Sequence, residues 1–322
     1  MRILISGALG FIGSHLTRAC LARGDDVIGI DNKSRPATLE LPNVHYIFRN
    51  TAQALADWRR ERCDLIFHCG SPVGAAAMKP ETQTLWQIVR DAHKVFDMAQ
   101  RWKAKVVAFS TPEVFGWGDG TRFTEDTHLE VHLPYAARSE YSIGKMAMEC
   151  LGMVHPHPWI HFIRPYIVSG PGQNPASGAC LPRFVHQAVQ GEALTVFGGE
   201  QRRQFTHVDD LVAFCMFLLR AAESKTYDNE ADGVWYDKQI WHIGGLDAPI
   251  TIRELAERVV AEVGSGHVEV VSDPAATLGN PYWMEAPEKF VDISKALATG
   301  WRPQKGLSEI IHDMVEDARA RL

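Results

Sequence analysis

Residues 2–6, Arg-Ile-Leu-Ile-Ser, run directly into Gly7-Ala8-Leu9-Gly10-Phe11-Ile12-Gly13. A short apolar run closed by glycine reads as a central strand of a parallel sheet. A helical pattern then continues to Arg23, with Ile12, Leu16, Ala19 and Cys20 on one face and Gly24 as its terminator. Asp26–Ile30 is a second apolar run, and Asp31 closes it. Each part has a mechanical reason. The first glycine permits a tight turn, the second lets backbone approach a pyrophosphate, and the third lets the helix pack close to the strand. Asp31, 18 residues after Gly13, is placed to accept hydrogen bonds from an adenosine ribose. A glycine triplet alone also arises from packing; strand, triplet, helix, strand and acid within 31 residues point to a bound dinucleotide. Asp31 would repel a 2′-phosphate and so favours NAD over NADP, a preference that Lys33 and Arg35 temper.

The alternation continues. Val44–Phe48, Asp64–His68 and Lys105–Phe109 read as strands, and Ala52–Arg62 and Glu81–Trp102 as helices. Such a pattern predicts an α/β chain with a doubly wound parallel sheet and helices on both faces. Ligands of these sheets bind at the carboxyl ends of the strands. The loops after Ser6, at Asp31, at Cys69-Gly70-Ser71 and at Ser110-Thr111 should therefore share one crevice. Beyond a helix to about Val154 and a strand at Trp159–Ile163, the pattern is less regular. It holds helices at Leu181–Gln190, from His207 to Leu219 and at Ile252–Val263, with a strand near Leu194–Phe197 and a closing amphipathic helix. The polar stretch Ser224–Gly233 reads as a surface loop.

With 322 residues the chain can form one large domain and a smaller one. Its net charge of −6, without a Lys/Arg block, argues against a nucleic-acid partner. Six dispersed cysteines with no C-x-x-C pair suit reduced thiols in a cytoplasmic compartment. No apolar run is long enough to span a bilayer, and the N-terminal segment lacks the form of a signal peptide, so a soluble cytoplasmic protein without a membrane partner is expected.

The chemistry concentrates between Phe109 and Lys145, in Ser110-Thr111-Pro112-Glu113 and Tyr141-Ser142-Ile143-Gly144-Lys145. A free tyrosine, with a pKa of about 10, is a poor base at neutral pH. A lysine one helical turn later lies on the same face and can stabilise the phenolate. A strand-end hydroxyl from Thr111 or Ser110 can bond the same substrate oxygen. The set suits removal of a carbinol proton while its hydride leaves for nicotinamide. A Y-x-x-x-K spacing is common by chance; its place after a nucleotide-binding half and a Ser-Thr strand end makes it catalytic here.

Together these stretches resemble the extended short-chain dehydrogenase/reductases of the nucleotide-sugar epimerase, dehydratase and decarboxylase group. The likeness extends to Phe67-His68, Arg164–Gln173, Thr195–Asp210, His242-Ile243-Gly244 and Asp292–Pro303. It implies a Rossmann domain over residues 1–168, with 205–245 returning to it, and a smaller interleaved C-terminal substrate domain over 169–204 and 246–322. It implies tightly bound NAD contacted by Gly7, Gly10, Phe11, Ile12, Gly13, Asp31, Asn32, Asn50, Cys69, Ser110, Tyr141 and Lys145. It also implies a nucleoside diphosphate sugar contacted by Ser71, Arg203 and Lys289, and a homodimer formed through two long helices, here Glu81–Trp102 and the Tyr141 helix.

Within that group dehydratases carry an Asp-Glu pair after the threonine. Pro112-Glu113 lacks the aspartate, which disfavours simple dehydration. Thr111-x-Glu113, Arg138-Ser139 and Ser71-Pro72-Val73 resemble UDP-glucuronate decarboxylases. In that reading Thr111, Glu113, Tyr141 and Lys145 are catalytic, and Glu113 positions or protonates near C5. The segments Gly170–Gly178 and Leu181-Pro182-Arg183-Phe184 look more like the 4-epimerases, which leaves epimerisation as the alternative. A non-catalytic NAD-binding sensor is a further alternative, opposed by retention of Thr111, Tyr141 and Lys145. The chain also departs from the group. Ile167 stands where an Asn usually contacts substrate, Asn50 where an Asp usually holds adenine, Ile88 and Asp91 where Asn and Gly are usual, and Lys289 near a usual Arg. His155, His157 and His161 lack ligand spacing and read as surface residues rather than a metal site. Cys69 reads as a buried thiol rather than a nucleophile.

Overall fold

The computed structural model describes residues 1–32, 40–74, 77, 82–116, 122–131, 137–223, 237–271 and 288–321. Lys33, Arg35, Glu81 and the Ser224–Gly233 stretch lie outside these. The chain divides into two compact units: Met1–Val114, Leu133–Arg164 and Leu211–Trp241 form the first, and Phe115–His132, Pro165–Asp210 and His242–Leu322 the second.

The first unit is built on strands β1 (Arg2–Ser6), β2 (Asp26–Asp31), β3 (Val44–Phe48), β4 (Leu65–His68), β5 (Lys105–Phe109) and β6 (Ile160–Pro165). Neighbours in the order β3-β2-β1-β4-β5-β6 pair in parallel. Gln239–Ile243 completes a seven-stranded sheet at the β6 edge. The order reverses between β2 and β4 around β1, the switch point at which such sheets bind ligands. Helices α1 (Phe11–Ala22), α2 (Thr51–Ala56), α3 (Thr84–Trp102) and α4 (Ala137–Val154) accompany it. β4 and β5 are buried along their whole length, which is why they read as unbroken apolar runs rather than alternating ones. One core cluster joins Leu4, Ile66 and Val106 of the sheet to Val95 and Phe96 of α3 and Met148 of α4.

Three expectations change. The helix foreseen over Ala52–Arg62 is only Thr51–Ala56. After Asp57, which takes the Arg49 guanidinium at 2.6 Å, the chain turns so that the Trp58 indole N–H reaches the carbonyls of Arg60 and Glu61. The long helix begins at Thr84, after Gln83 at φ 49°. His157 and His161 are buried, not surface residues: they are 3% and 0% exposed, with Nε2 against the carbonyls of Ala104 and Asp237. Missing ligand spacing suggested surface residues, but backbone partners satisfy these rings in the interior.

In the second unit, helices Cys180–Val189, Ile252–Val263 and Leu307–Arg319 enclose Phe184, Leu255, Val259 and Ile310. Thr251 and Glu254 form a reciprocal capping box at the start of the second of these, and Gly264 ends it at φ 78°. Arg202–Arg203 pairs antiparallel with Ile250–Thr251 and parallel with Glu288–Lys289. Among the described residues no helix is long and apolar enough to cross a membrane.

Candidate active site

The turn after β1 is built on contacts that exclude side chains. Gly7 has φ 69°, and a Cβ there would sit 2.8 Å from Gly70 Cα; a Cβ on Gly13 would sit 2.0 Å from the Gly7 carbonyl oxygen. The amides of Gly7 and Ala8 donate to the Ile30 carbonyl at 2.7 and 3.2 Å, and the Leu9 amide donates to the Asp31 carboxylate at 3.0 Å. The Gly70 amide donates to Ser6 Oγ at 3.2 Å, and Ser6 Oγ pairs with His68 Nδ1 at 2.7 Å. The loops after β1, β2 and β4 therefore touch one another, as the strand ends required. Gly10 caps α1 without a side-chain hydrogen bond. That leaves a bare helix N-terminus over a glycine cradle, the fit a pyrophosphate needs.

The remaining residues expected at the cofactor divide. Phe11 and Ile12 open α1, partly exposed. Asn32 follows Asp31 and is exposed. Asn50 caps α2 without a side-chain capping bond, while Asp91, buried on α3, accepts the Ala52 amide at 3.1 Å. Burial pushes the Asp91 carboxyl above its ordinary range. Cys69 donates its amide to Ser6 O at 3.1 Å, and burial pushes its thiol well up, which suits packing and not nucleophilic attack. Ser71 Oγ donates to the Pro72 carbonyl at 3.3 Å. Ser110 Oγ is buried with no hydrogen-bond partner, an acceptor and donor left for a ligand.

β5 ends in the 3₁₀ turn Pro112–Phe115. Thr111 Oγ1 accepts the Glu113 amide at 3.3 Å, and its hydroxyl lies close enough to the Tyr141 phenol to act on its ionisation. Lys145 Nζ lies 5.9 Å from the Tyr141 ring centre and donates to the Phe109 carbonyl at 2.6 Å. Hydroxyl, phenol and ammonium thus meet at the end of β5. The electrostatic expectation for the tyrosine is corrected. Burial pushes its phenol up and the Glu113 charge adds to this, while the Thr111 hydroxyl opposes it; here desolvation dominates. Burial lowers Lys145 itself to about 8, against Cys69 and Glu149.

The sequence reading used Arg138 only as a motif marker. Its guanidinium in fact forks onto Glu113, Nε to Oε2 at 2.7 Å and Nη2 to Oε1 at 3.1 Å. The two residues are 25 positions apart, and no spacing rule connects them. In the second unit, Arg203 and Lys289 stand opposite each other in register and are 7% and 4% exposed. Arg183, named from sequence only within an epimerase-like segment, lies 5.3 and 5.2 Å from the Phe184 and Phe197 ring centres with a buried Nε that has no partner. Ile167 has φ 30°, a conformation Asn tolerates and a β-branched residue resists.

Residues 3–230 match the profile of the NAD dependent epimerase/dehydratase family. The chain belongs to that family. It is an NAD-dependent enzyme, in line with the preference read from Asp31, and its glycine cradle and Asp31 fit the cofactor. UDP-glucuronic acid decarboxylase 1 of Arabidopsis thaliana is 30% identical over 342 aligned residues, covering all of this chain and 71% of that protein. UDP-N-acetyl-alpha-D-glucosaminuronate decarboxylase of Bacillus cytotoxicus is 28% identical, covering 91% of this chain and 90% of its own length. In fold, the chain is similar to the UDP-glucose 4-epimerase of Thermotoga maritima, with a TM-score of 0.82 over all of this chain and 99% of that one at 21% identity.

Proposed function

We propose that this enzyme decarboxylates a nucleoside diphosphate hexuronate, with UDP-glucuronate as substrate. The observation that carries the reading is the Glu113 carboxylate, two residues from Thr111 and clamped by Arg138. It supplies one fixed anion where water elimination would call for an acid and a base. Two relatives named as decarboxylases of UDP-linked uronic acids support it.

NAD held by the glycine cradle and Asp31 would supply reversible hydride transfer at C4 of the sugar. Tyr141 takes the C4 hydroxyl proton, and Thr111, close enough to the phenol to act on its ionisation, orients that oxygen. The C4 ketone makes the C5 carboxylate a β-keto acid. The C5–C6 bond breaks, carbon dioxide leaves, and the bonding pair passes into a C4–C5 enolate. A proton reaches C5 from water oriented by Glu113, and Tyr141 returns its proton to the C4 oxygen. Lys145 holds positive charge beside the phenol. Ser71 is the candidate sugar contact, and Arg203 and Lys289 are the cations suited to a diphosphate. The enzyme acts in the cytoplasm as a homodimer paired through α3 and α4, which already lie against each other where Glu140 accepts the Leu85 amide at 3.1 Å.

The test is to incubate the protein with UDP-glucuronate and NAD and follow the sugar by NMR. A UDP-pentose or its 4-keto form with carbon dioxide is expected. UDP-galacturonate appearing instead would transfer the proposal to 4-epimerisation. Tyr141→Phe should lose about 100-fold or more of the rate, and unchanged turnover in that variant would remove the redox step from the reading.

A further inference from the structure

The geometry points to Arg138 as the positioning residue of Glu113: it acts on the reaction through that carboxylate. This deepens the decarboxylase reading and rests on it. Arg138 lies in the first turn of α4, three residues ahead of Tyr141. Glu113 lies in the turn that ends β5, two residues beyond Thr111. The guanidinium occupies both carboxylate oxygens at 2.7 and 3.1 Å. Both side chains are partly withdrawn from solvent, 34% exposed for Arg138 and 21% for Glu113. A planar fork on a planar carboxylate fixes its orientation as well as its distance, which a lysine cannot do.

Two consequences follow from where the pair sits. The Glu113 main chain donates to Thr111 Oγ1 while its side chain is held from α4, so the residue is fixed at both ends beside Thr111. Its charge acts on the Tyr141 phenol, so the carboxylate and the phenol lie within electrostatic reach. A rotated carboxylate would therefore change both the group presented to the substrate and the field at the base. A second function of the fork, bracing the start of α4 against the β5 turn, would be purely structural, and the two roles are separable by experiment.

The experiment is a double-mutant cycle in the full-length, NAD-loaded protein with Arg138→Gln, Glu113→Gln and the pair together, and with Arg138→Lys beside them. Turnover is measured on whichever product the wild type forms from UDP-glucuronate, with NADH accumulation followed at 340 nm. Arg138→Gln should lower kcat about 100-fold with little change in KM. In the Glu113→Gln background the same change should cost no more than about twofold. Arg138→Lys should recover only a small part of the loss. Losses that multiply in the double variant, or full recovery with lysine, would overturn the proposal in favour of a bracing role. A wild type that epimerises while the coupling persists would overturn the decarboxylase reading and leave Arg138 in place; a wild type inert to uronates would overturn both. Melting temperatures of the four variants identify any that fail to fold, and in that case the cycle is repeated with Glu113→Asp, whose shorter arm should remove the fork and make Arg138→Gln equally silent.

Discussion

The ammonium of Lys145 donates to the main-chain carbonyl of Phe109 at 2.6 Å, tying the middle of α4 to the last residue of β5. The bond fixes the helix that carries the phenol against the strand that leads to Thr111. It also keeps a charge in an interior position, 4% exposed, where burial lowers the ammonium to about 8.

A pH dependence follows. Lys145 is charged below about 8 and neutral above it, so turnover should fall on the alkaline side with one ionisation near that value. Stability has the opposite sign: between the folded value and the unfolded value of about 10.4 the unfolded chain holds the extra proton, so this group's contribution rises with pH. Lys145→Met should abolish the alkaline limb of residual activity and flatten the stability profile over the same window. Both are read from kcat and urea midpoints between pH 7 and 10.

Gly13→Ala should cost stability and cofactor together. Its methyl would lie 2.0 Å from the Gly7 carbonyl oxygen, so the turn must open, at about 1–3 kcal/mol. The measured outcomes are a lower melting temperature and purified protein with little nucleotide released on denaturation. A variant that keeps full cofactor would show that the turn tolerates the methyl.

Ile167 gives a test in which the usual ranking inverts. Its backbone sits at φ 30°, and its side chain packs against the core of the second unit. Ile167→Val keeps the strain and loses a methyl, a cost of about 1 kcal/mol. Ile167→Asn loses apolar contact but relieves strain worth about 1–3 kcal/mol. Chemical denaturation should find the asparagine variant the more stable of the two.

Glu149 and Arg164 form a buried ion pair at 2.8 and 2.6 Å, the side chains 4% and 2% exposed. Glu149→Ala should cost about 3–5 kcal/mol, because it removes the carboxylate that both nitrogens of a buried guanidinium bond. Replacing both partners with methionine should restore much of that loss, measured by urea unfolding of the three variants.

Legibility in the sequence followed how local the physics was. Ile252–Val263 could be bounded to the residue because its capping box and its terminating Gly264 are written beside it. The strands of the sheet were visible because burial on both faces demands unbroken apolar runs. α2 was overdrawn because Trp58 satisfies its indole on the turn that follows, a contact with no pattern. The site divided in the same way. Thr111, Tyr141 and Lys145 were candidates from strand end and helical spacing, and the fold brings Lys145 beside the Tyr141 ring at the end of β5. The Arg138 fork and the buried histidines depend on which segments fold against each other, and neighbouring letters do not carry that.

The carboxylate of Asp31 accepts the Leu9 amide, so the residue proposed to discriminate between the two dinucleotides also buttresses the turn after β1. Cofactor choice and turn geometry are therefore inherited as one trait. A lineage drifting toward NADP would have to replace that buttress in the same step, and single substitutions at this position face a fitness valley rather than a slope.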